Sequence, residues 1–457
     1  MIQENHSKQL IIGLGKTGLS CAEYLNDHAM AFKAMDTRVV APFSEQISNL
    51  AYCELMLCGD PNLHMDAMEQ YLEDISRIIV SPGVGLSGAF LELIQRLEIQ
   101  VIGDIELFAL LVKAPVIAIT GSNGKSTVTQ LTGELLAAAG KNVMVGGNIG
   151  TPALDLLKSE TADFYVLELS SFQLETTKSL QPIAGTVLNL SRDHLDRYNS
   201  YEQYCDVKMS LLEVSENIII SVDEFPSKLE NKNHAKEITI SLSSKQNTDY
   251  SRQQQSDGSY WIAKNDQTLF NQNILKVAGL HNVSNVMVSL ALCSAAGVEF
   301  NDAMLAKLKT FSGLKHRCQF IAELDGVRFY NDSKATNIGA TVASLKGLSE
   351  TISGDLILIA GGDAKGADFS PLAEVFKRYL AALVLIGRDA ERLLQETGIG
   401  IRSVIVDDMK QAVITAFGFA KSGDAVLLAP ACASFDMYSG FEQRGDVFTA
   451  EVEALLL

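Results

Sequence analysis

A chain of 457 residues exceeds one ordinary hydrophobic core and predicts about three domains. With 47% hydrophobic and 20% charged residues it reads as compact and globular, and a formal charge of −18 argues against general binding to nucleic acid or acidic membranes. Anionic ligands must then be met locally, by single Lys and Arg side chains and backbone N–H groups.

Residues Met1 to Lys8 lack the basic flank and long apolar stretch of a secretory signal. No apolar run reaches the ~18 residues that span a bilayer, so a cytoplasmic protein with no membrane insertion is expected. Seven cysteines without a C-x-x-C pair point to neither a disulfide framework nor a thiolate zinc site. From Gln9 to Ile102, short apolar strands at 9–12, 29–35, 77–80 and 99–102 alternate with helical stretches, the rhythm of a parallel sheet with crossover helices. Between the first strand and helix stands Gly13-Leu14-Gly15-Lys16-Thr17-Gly18, a complete G-x-G-x-x-G, with Asp36-Thr37-Arg38 about 20 residues later. This pattern fits a dinucleotide, yet any close βα turn that receives a diphosphate can use it. The carboxylate of Asp36 suits a ribose hydroxyl, and Thr37 and Arg38 suit a phosphate. Ser81-Pro82-Gly83 marks another turn after a strand.

The pattern restarts near Gly103-Asp104. The run Val116-Ile117-Ala118-Ile119 leads into Gly121-Ser122-Asn123-Gly124-Lys125-Ser126-Thr127 and a helical stretch to Ala139, a phosphate-gripping strand–loop–helix. Two residues separate its glycines where the usual Walker loop has four. The glycines let N–H groups curl around phosphate oxygens, Lys125 supplies a point charge, and the hydroxyl of the Ser that follows reaches Mg²⁺. A nucleoside triphosphate is the expected ligand. Glu168 ends a further strand, where an α/β site would hold Mg²⁺ directly or through water. The segment Asn189 to Arg197 is dense in polar groups. His194 within it is read as either a capping or core histidine or a ligand, although imidazole is a soft choice for Mg²⁺. Lys208 reads by itself as a surface lysine on a helix.

Residues 229–273 are Ser/Gln/Asn-rich and predict small antiparallel hairpins packed by the sole Trp, Trp261, or else a disordered insert. After Gly279 an apolar helix runs to about Ala296. His281, Asn282 and Asn285 share a face there, so their side chains can read an adenine edge or ribose, or Asn282 can cap the helix. A third unit begins near Phe311, with strands at 355–359, 382–386 and 424–428. It carries cationic polar loops at Leu314 to Arg317, Tyr330 to Asn337 and Gly361 to Asp368, and a further loop at Ala431 to Asp436. Arg317, Lys334 and Lys365 on these loops suit a carboxylate or a transferring phosphoryl group.

Taken together, Gly121 to Thr127, Leu167 to Phe172, Asp193 to Arg197, His281-Asn282 with Asn285, Asp332 to Asn337, and Phe441-Glu442-Gln443-Arg444-Gly445 make the chain resemble the Mur ligases, ATP-dependent amide-forming enzymes of peptidoglycan precursor synthesis. The stretch Asp332-Ser333-Lys334-Ala335-Thr336-Asn337 is similar to that of the members that add D-glutamate. The resemblance covers essentially the whole chain. It implies an α/β protein of three domains: a Rossmann-like UDP-substrate domain at 1–103, a P-loop ATPase-like domain at 104–309, and a Rossmann-like amino-acid domain at 310–457. It reassigns Gly13 to Gly18 from NAD to a uridine diphosphate.

The same resemblance implies roles for single residues. Gly121, Asn123, Gly124, Lys125, Ser126 and Thr127 would hold ATP, with Asn282, Asn285, Arg317 and Asp332 on the nucleotide. Ser126, Glu168, His194 and a Lys208 carbamate would hold Mg²⁺. Thr17, Asp36, Thr37, Arg38, Ser81 and Asn148 match the UDP-sugar site, and Lys334, Thr336, Lys365, Ser434 and Phe441 match the surroundings of D-glutamate. The catalytic set is Lys125, His194, Lys208, Arg317 and Lys334. Lys16 departs from the apolar residue common in the family.

A carboxylate is a poor acyl donor because amine attack would have to expel oxide. The implied reaction therefore activates the L-alanyl carboxylate of UDP-MurNAc-L-Ala as an acyl phosphate, which the D-glutamate amine attacks, in a monomeric enzyme that uses ATP and Mg²⁺. Two rivals are another amino-acid-adding Mur-type ligase and an NAD-dependent oxidoreductase, the second of which leaves the P-loop unexplained.

Overall fold

The computed structural model describes residues 8–38, 40–57, 59–159, 161–191, 197–225, 234–243, 247–265, 267–277, 279–349, 352–398 and 400–456. The chain divides into two compact units, one of Met1–Ser241, Lys245–Ser251 and Met287–Met304, the other of Leu242–Ser244, Arg252–Val286 and Leu305–Leu457.

In the first unit, β1 (Lys8–Ile12), β2 (Phe32–Asp36), β3 (Cys53–Leu57), β4 (Ile75–Val80) and β5 (Gln100–Gly103) form a parallel sheet ordered β3-β2-β1-β4-β5. Strand residues alternate faces, and both faces are covered. Ile11 joins a core shared with Leu25 and Phe108, while Leu10 and Ile12 join one with Tyr71 and Phe90. The order reverses between β2, β1 and β4, so the crevice at the carboxyl ends of these strands receives the turns at Gly13 and Ser81.

A second parallel sheet holds β6 (Val116–Thr120), β7 (Val143–Gly147), β8 (Phe164–Glu168), β9 (Ala184–Val187), β10 (Asn217–Ser221) and β11 (Lys236–Ser241), in the order β11-β10-β9-β6-β8-β7. Tyr250 and Ser251 of β12 (Tyr250–Gln254) pair with β11, also in parallel. The polar stretch thus extends the parallel sheet before it makes a hairpin, a correction to the all-antiparallel expectation. A continuous core joins the two sheets of this unit: Ile11 and Phe32 belong to the same cluster as Phe108, Val116, Tyr165 and Leu167.

In the second unit, β13 (Tyr260–Lys264) and β14 (Gln267–Asn271) form the predicted antiparallel hairpin. Trp261 is only half-buried, its Nε1 donating to Ser259 Oγ at 3.0 Å, so it does not serve as the packing centre expected of it. The main sheet of this unit holds β15 (Gln319–Leu324), β16 (Val327–Asn331), β17 (Leu356–Gly361), β18 (Leu380–Ile386), β19 (Arg402–Ile405) and β20 (Ala425–Leu428), ordered β15-β16-β20-β17-β18-β19. All neighbours are parallel except the β15–β16 edge pair. Leu356, Leu358 and Ala360 face one core and Ile357 and Ile359 the other, which is why β17 reads as an unbroken apolar run.

Candidate active site

β6 is buried throughout and delivers the chain into the loop Gly121–Gly124, after which the helix Lys125–Ala138 begins. Gly121 has φ +145, and a Cβ there would lie 3.0 Å from Leu188 Cβ; Gly124, φ +81, starts the helix in the left-handed region. The loop is laced to the segment after β9. Ser122 N donates to Asn189 O (2.9 Å) and Asn123 N to Asn189 Oδ1 (2.8 Å), while Asn189 Nδ2 donates to Asn123 O (3.1 Å). Lys125 Nζ bends back over the loop and donates to Gly121 O and Ser122 O, each at 2.9 Å. Ser126 is buried at the second helical position and Thr127 is half-buried. A helix N-terminus, a fixed loop and an ammonium at its mouth make an anion cradle.

Glu168 is buried at the end of β8. Its Oε1 accepts from Asn148 Nδ2 at 2.7 Å, and its Oε2 is buried with no hydrogen-bond partner. A carboxylate oxygen in that condition fits a cation ligand, so the residues present fit Mg²⁺. Asn148, matched by resemblance to the UDP-sugar site, has its side-chain amide on this carboxylate.

Lys208 is 2% exposed, which overturns its reading as a surface lysine. Its Nζ donates to Gly121 O (3.0 Å) and Thr120 Oγ1 (3.3 Å) and lies 5.1 Å from the Tyr204 ring centre. Tyr204, which sequence reasoning missed, is buried and shares a 2.8 Å hydrogen bond with Ser122 Oγ. The helix Tyr201–Val214 that carries both is started by Ser200, whose Oγ accepts from Gln203 N at 3.2 Å. His194, Asp193 and Asp196 lie outside the described residues.

At the Gly13 turn, Ser81 Oγ donates to Gly13 O at 2.7 Å, and a Cβ on Gly18 would lie 2.0 Å from that same oxygen. A Cβ on Gly15 would meet nothing within 4 Å, so the backbone there is open to a ligand. Asp36 is buried, accepting from Leu14 N (2.7 Å) and Arg38 N (2.9 Å) and paired with the Arg38 guanidinium (2.7 and 2.8 Å). Burial raises its pKa, but the Arg38 guanidinium and the two N–H groups outweigh that and hold it below the usual carboxylate value. These bonds engage its oxygens in holding the turn. Thr17 is half-buried on the helix that follows, Thr37 lines a pocket with Asn62, Gly85, Ser87 and Phe90, and Lys16 is exposed to solvent.

In the second unit, Asn285 Nδ2 donates to Asn282 Oδ1 at 3.2 Å, as their i,i+3 spacing allows. The helix begins at Leu280, so Asn282 lies inside it and is not its cap. Arg317 is exposed between two residues with left-handed backbone, His316 (φ +62) and Cys318 (φ +46). Asp332 is buried after β16, bonded by Ser344 Oγ, and burial pushes its carboxyl up to about 6 against the pull of Ser344, Cys318 N–H and Arg317. Lys334 is exposed with Nζ 4.0 Å over the Phe441 ring, and Lys365 is exposed with Nζ 5.4 Å from the Phe435 ring. Thr336 is half-buried and Ser434 buried.

Arg444 gathers these loops, a role that sequence reasoning missed. Only 1% exposed, its guanidinium donates to Ser333 Oγ (3.0 Å), Ser333 O (2.9 Å), Cys432 O (3.1 Å) and Ala433 O (3.3 Å). Burial lowers its pKa to about 10, so it keeps its charge at neutral pH. Ser333 Oγ in turn donates to Phe441 O at 2.8 Å. The five-donor fork of Arg suits such convergent acceptors, and nothing in its spacing announces it.

Residues 7–103 match the Mur ligase MurD-like N-terminal domain, 119–293 the Mur ligase middle domain, and 316–432 the Mur ligase glutamate ligase domain. A UDP-N-acetylmuramoylalanine--D-glutamate ligase of Nitrosococcus oceani is 44% identical over 447 residues, 98% of this chain and 96% of that one. One of Hahella chejuensis is 42% identical over 445 residues, 97% and 98% of the two chains. Among solved structures, the fold is shared with a UDP-N-acetylmuramate-alanine ligase of Thermotoga maritima (TM-score 0.57, 15% identity, 98% of this chain and 100% of that one) and with a MurF ligase of the same organism in complex with ADP (TM-score 0.57, 16% identity, 99% and 96%). With three matched domains in order along its length and relatives above 40% identity across nearly all of it, the chain belongs to the Mur ligase family.

Proposed function

We propose that the chain is an ATP-dependent ligase that adds D-glutamate to UDP-N-acetylmuramoyl-L-alanine in peptidoglycan precursor synthesis. The observation that carries this reading is the end-to-end similarity to relatives named for that reaction, set beside a phosphate cradle and a domain with three cationic loops. Lys125 and the N–H groups at the start of the helix Lys125–Ala138 bind the triphosphate and balance charge as the γ-phosphoryl group moves to the L-alanyl carboxylate. Mg²⁺ held by Ser126 and Glu168 would screen phosphate oxygens. Lys334, Lys365, Thr336, Ser434 and Phe441 hold D-glutamate, whose amine attacks the acyl carbon of the acyl phosphate; the C–N bond forms, phosphate leaves with the C–O bond electrons, and the ammonium proton is lost. Asn282, Asn285, Arg317 and Asp332 hold the nucleotide. The turn from Gly13 to Gly18, with Thr17, Thr37, Arg38 and Ser81, holds the uridine diphosphate.

Lys208 is assigned a carbamate: its ammonium loses a proton, the neutral amine adds to CO₂ with release of a second proton, and the resulting anionic group would hold a second Mg²⁺ together with His194. The domain boundaries at 103 and 309 are assigned on the same resemblance, as is a monomer. Cytoplasmic placement rests on the use of ATP, the free cysteines among the described residues, and the lack of a described helix long and apolar enough to cross a membrane.

Phosphate release from ATP with UDP-MurNAc-L-Ala, compared across D-glutamate, L-glutamate and L-lysine, tests the reading. Release with D-glutamate alone is expected; equal release with L-lysine would overturn the assignment. The same assay on Lys208→Ala should show activity only when a short-chain carboxylic acid is added, and silence with every such acid would remove the carbamate.

A further inference from the structure

Phe435 is 66% exposed, a large aromatic ring left in water on a loop that is otherwise tightly held. Its neighbours fix the backbone on both sides. Asp363 N and Ala433 N exchange hydrogen bonds with each other's carbonyls at 3.0 and 2.9 Å, Met437 N and Tyr438 N donate to Ser434 O at 3.1 and 2.8 Å, and Asp436 Oδ2 accepts from Arg388 N at 2.9 Å. The exposure is therefore built in, not a product of a loose chain.

The same pairing sets the Gly361–Asp368 loop beside the ring. On that loop Lys365 has a left-handed backbone, φ +49, an arrangement uncommon outside Gly and Asn, and Asp363 Oδ1 accepts from its N at 3.0 Å. Its ammonium lies 5.4 Å from the Phe435 ring centre. Two unfavourable features, a solvent-exposed aromatic and a lysine in the left-handed region, meet at one point next to buried Ser434. Backbone strain held in place by the surrounding structure clusters at ligand-binding positions, and here it stands beside an aromatic ring open to solvent.

A cation and an apolar plane side by side complement a ligand with an anionic end and a short aliphatic chain. Resting on the D-glutamate reading above, we propose that Phe435 is a specificity-determining residue: its ring covers the methylene chain of the incoming amino acid while Lys365 pairs with a carboxylate. The ring measures the distance between the two carboxylates and so selects glutamate over its shorter and longer homologues.

The test compares wild type with Phe435→Ala and Phe435→Leu, using D-aspartate, D-glutamate and D-2-aminoadipate as acceptors. Because the ring is exposed, both variants should keep the wild-type melting temperature. Phe435→Ala is expected to raise KM for D-glutamate about tenfold, with kcat and the KM values for ATP and UDP-MurNAc-L-Ala within about twofold, and to narrow the preference among the three acceptors. Phe435→Leu should recover part of the loss. An unchanged D-glutamate KM, or an equal change for all three acceptors, would overturn the proposal. Failure of the wild-type protein to use D-glutamate would instead overturn the reading on which it rests.

Discussion

Glu168 has one oxygen bonded by Asn148 Nδ2 and one buried without a partner. If that second oxygen takes Mg²⁺, Asn148 acts by aiming it, since a ligand carboxylate that loses its supporting hydrogen bond typically weakens metal binding 10–100-fold. Asn148→Ala is therefore expected to raise the Mg²⁺ concentration for half-maximal activity by about tenfold or more. A rise confined to KM for the UDP-substrate, with the Mg²⁺ requirement unchanged, would return Asn148 to the substrate. Residues of this kind mark the limit of reading by sequence. Glu168 and Lys125 stand in motifs whose chemistry depends on their position along a strand or loop, so their places were legible. Lys208, Tyr204 and Arg444 owe their roles to burial against groups 82 to 111 positions away, which no local spacing records.

At the scale of the element, the turn from Gly13 to Gly18 separates two reasons for a glycine. Gly18 is needed by the fold: its absent Cβ would sit 2.0 Å from Gly13 O, a backbone atom that cannot move aside. Gly15 has ordinary backbone angles, φ −83, and open space around it. Gly18→Ala should cost about 2 kcal/mol of stability, seen as a lower urea midpoint. Gly15→Ala should keep the midpoint and raise KM for UDP-MurNAc-L-Ala about tenfold, because the new methyl occupies the approach of the diphosphate. An unchanged KM would mean that the diphosphate does not lie against Gly15. Apolar runs located β1, β4, β6, β8, β17 and β18 because these strands are buried on both faces. β3, β7 and β19 escaped notice: each ends its sheet, mixes in polar or glycine residues, and is largely half-buried or exposed, so no apolar run marks it.

For the whole molecule, three domains were legible from the repeated strand–helix rhythm, but the shared core of the first two sheets was not. Their junction runs through Gly103-Asp104. Gly103 has no room for a Cβ beside Thr176, and Asp104 is buried with Oδ2 accepting from Gln173 Nε2 at 3.1 Å and Oδ1 without a partner. Burial, opposed by that bond and by nearby N–H groups, pushes the Asp104 carboxyl up to about 6. In the unfolded chain it titrates near ~3.9. Between those values the folded protein holds the proton more tightly, so the stability that Asp104 contributes is complete below about pH 4 and is lost as pH rises through about 6. Asp104→Asn keeps an acceptor for Gln173 and removes the titration. Its stability relative to wild type, from urea unfolding followed by circular dichroism, should improve by on the order of 2 kcal/mol between pH 4 and pH 7. Other carboxylates, including Glu106, whose pKa is lowered by Ser179 and two N–H groups despite burial, cancel in the comparison. An equal difference at both pH values would show that Asp104 is ionised across the range, and the segment between the two sheets would then have to hold a buried charge.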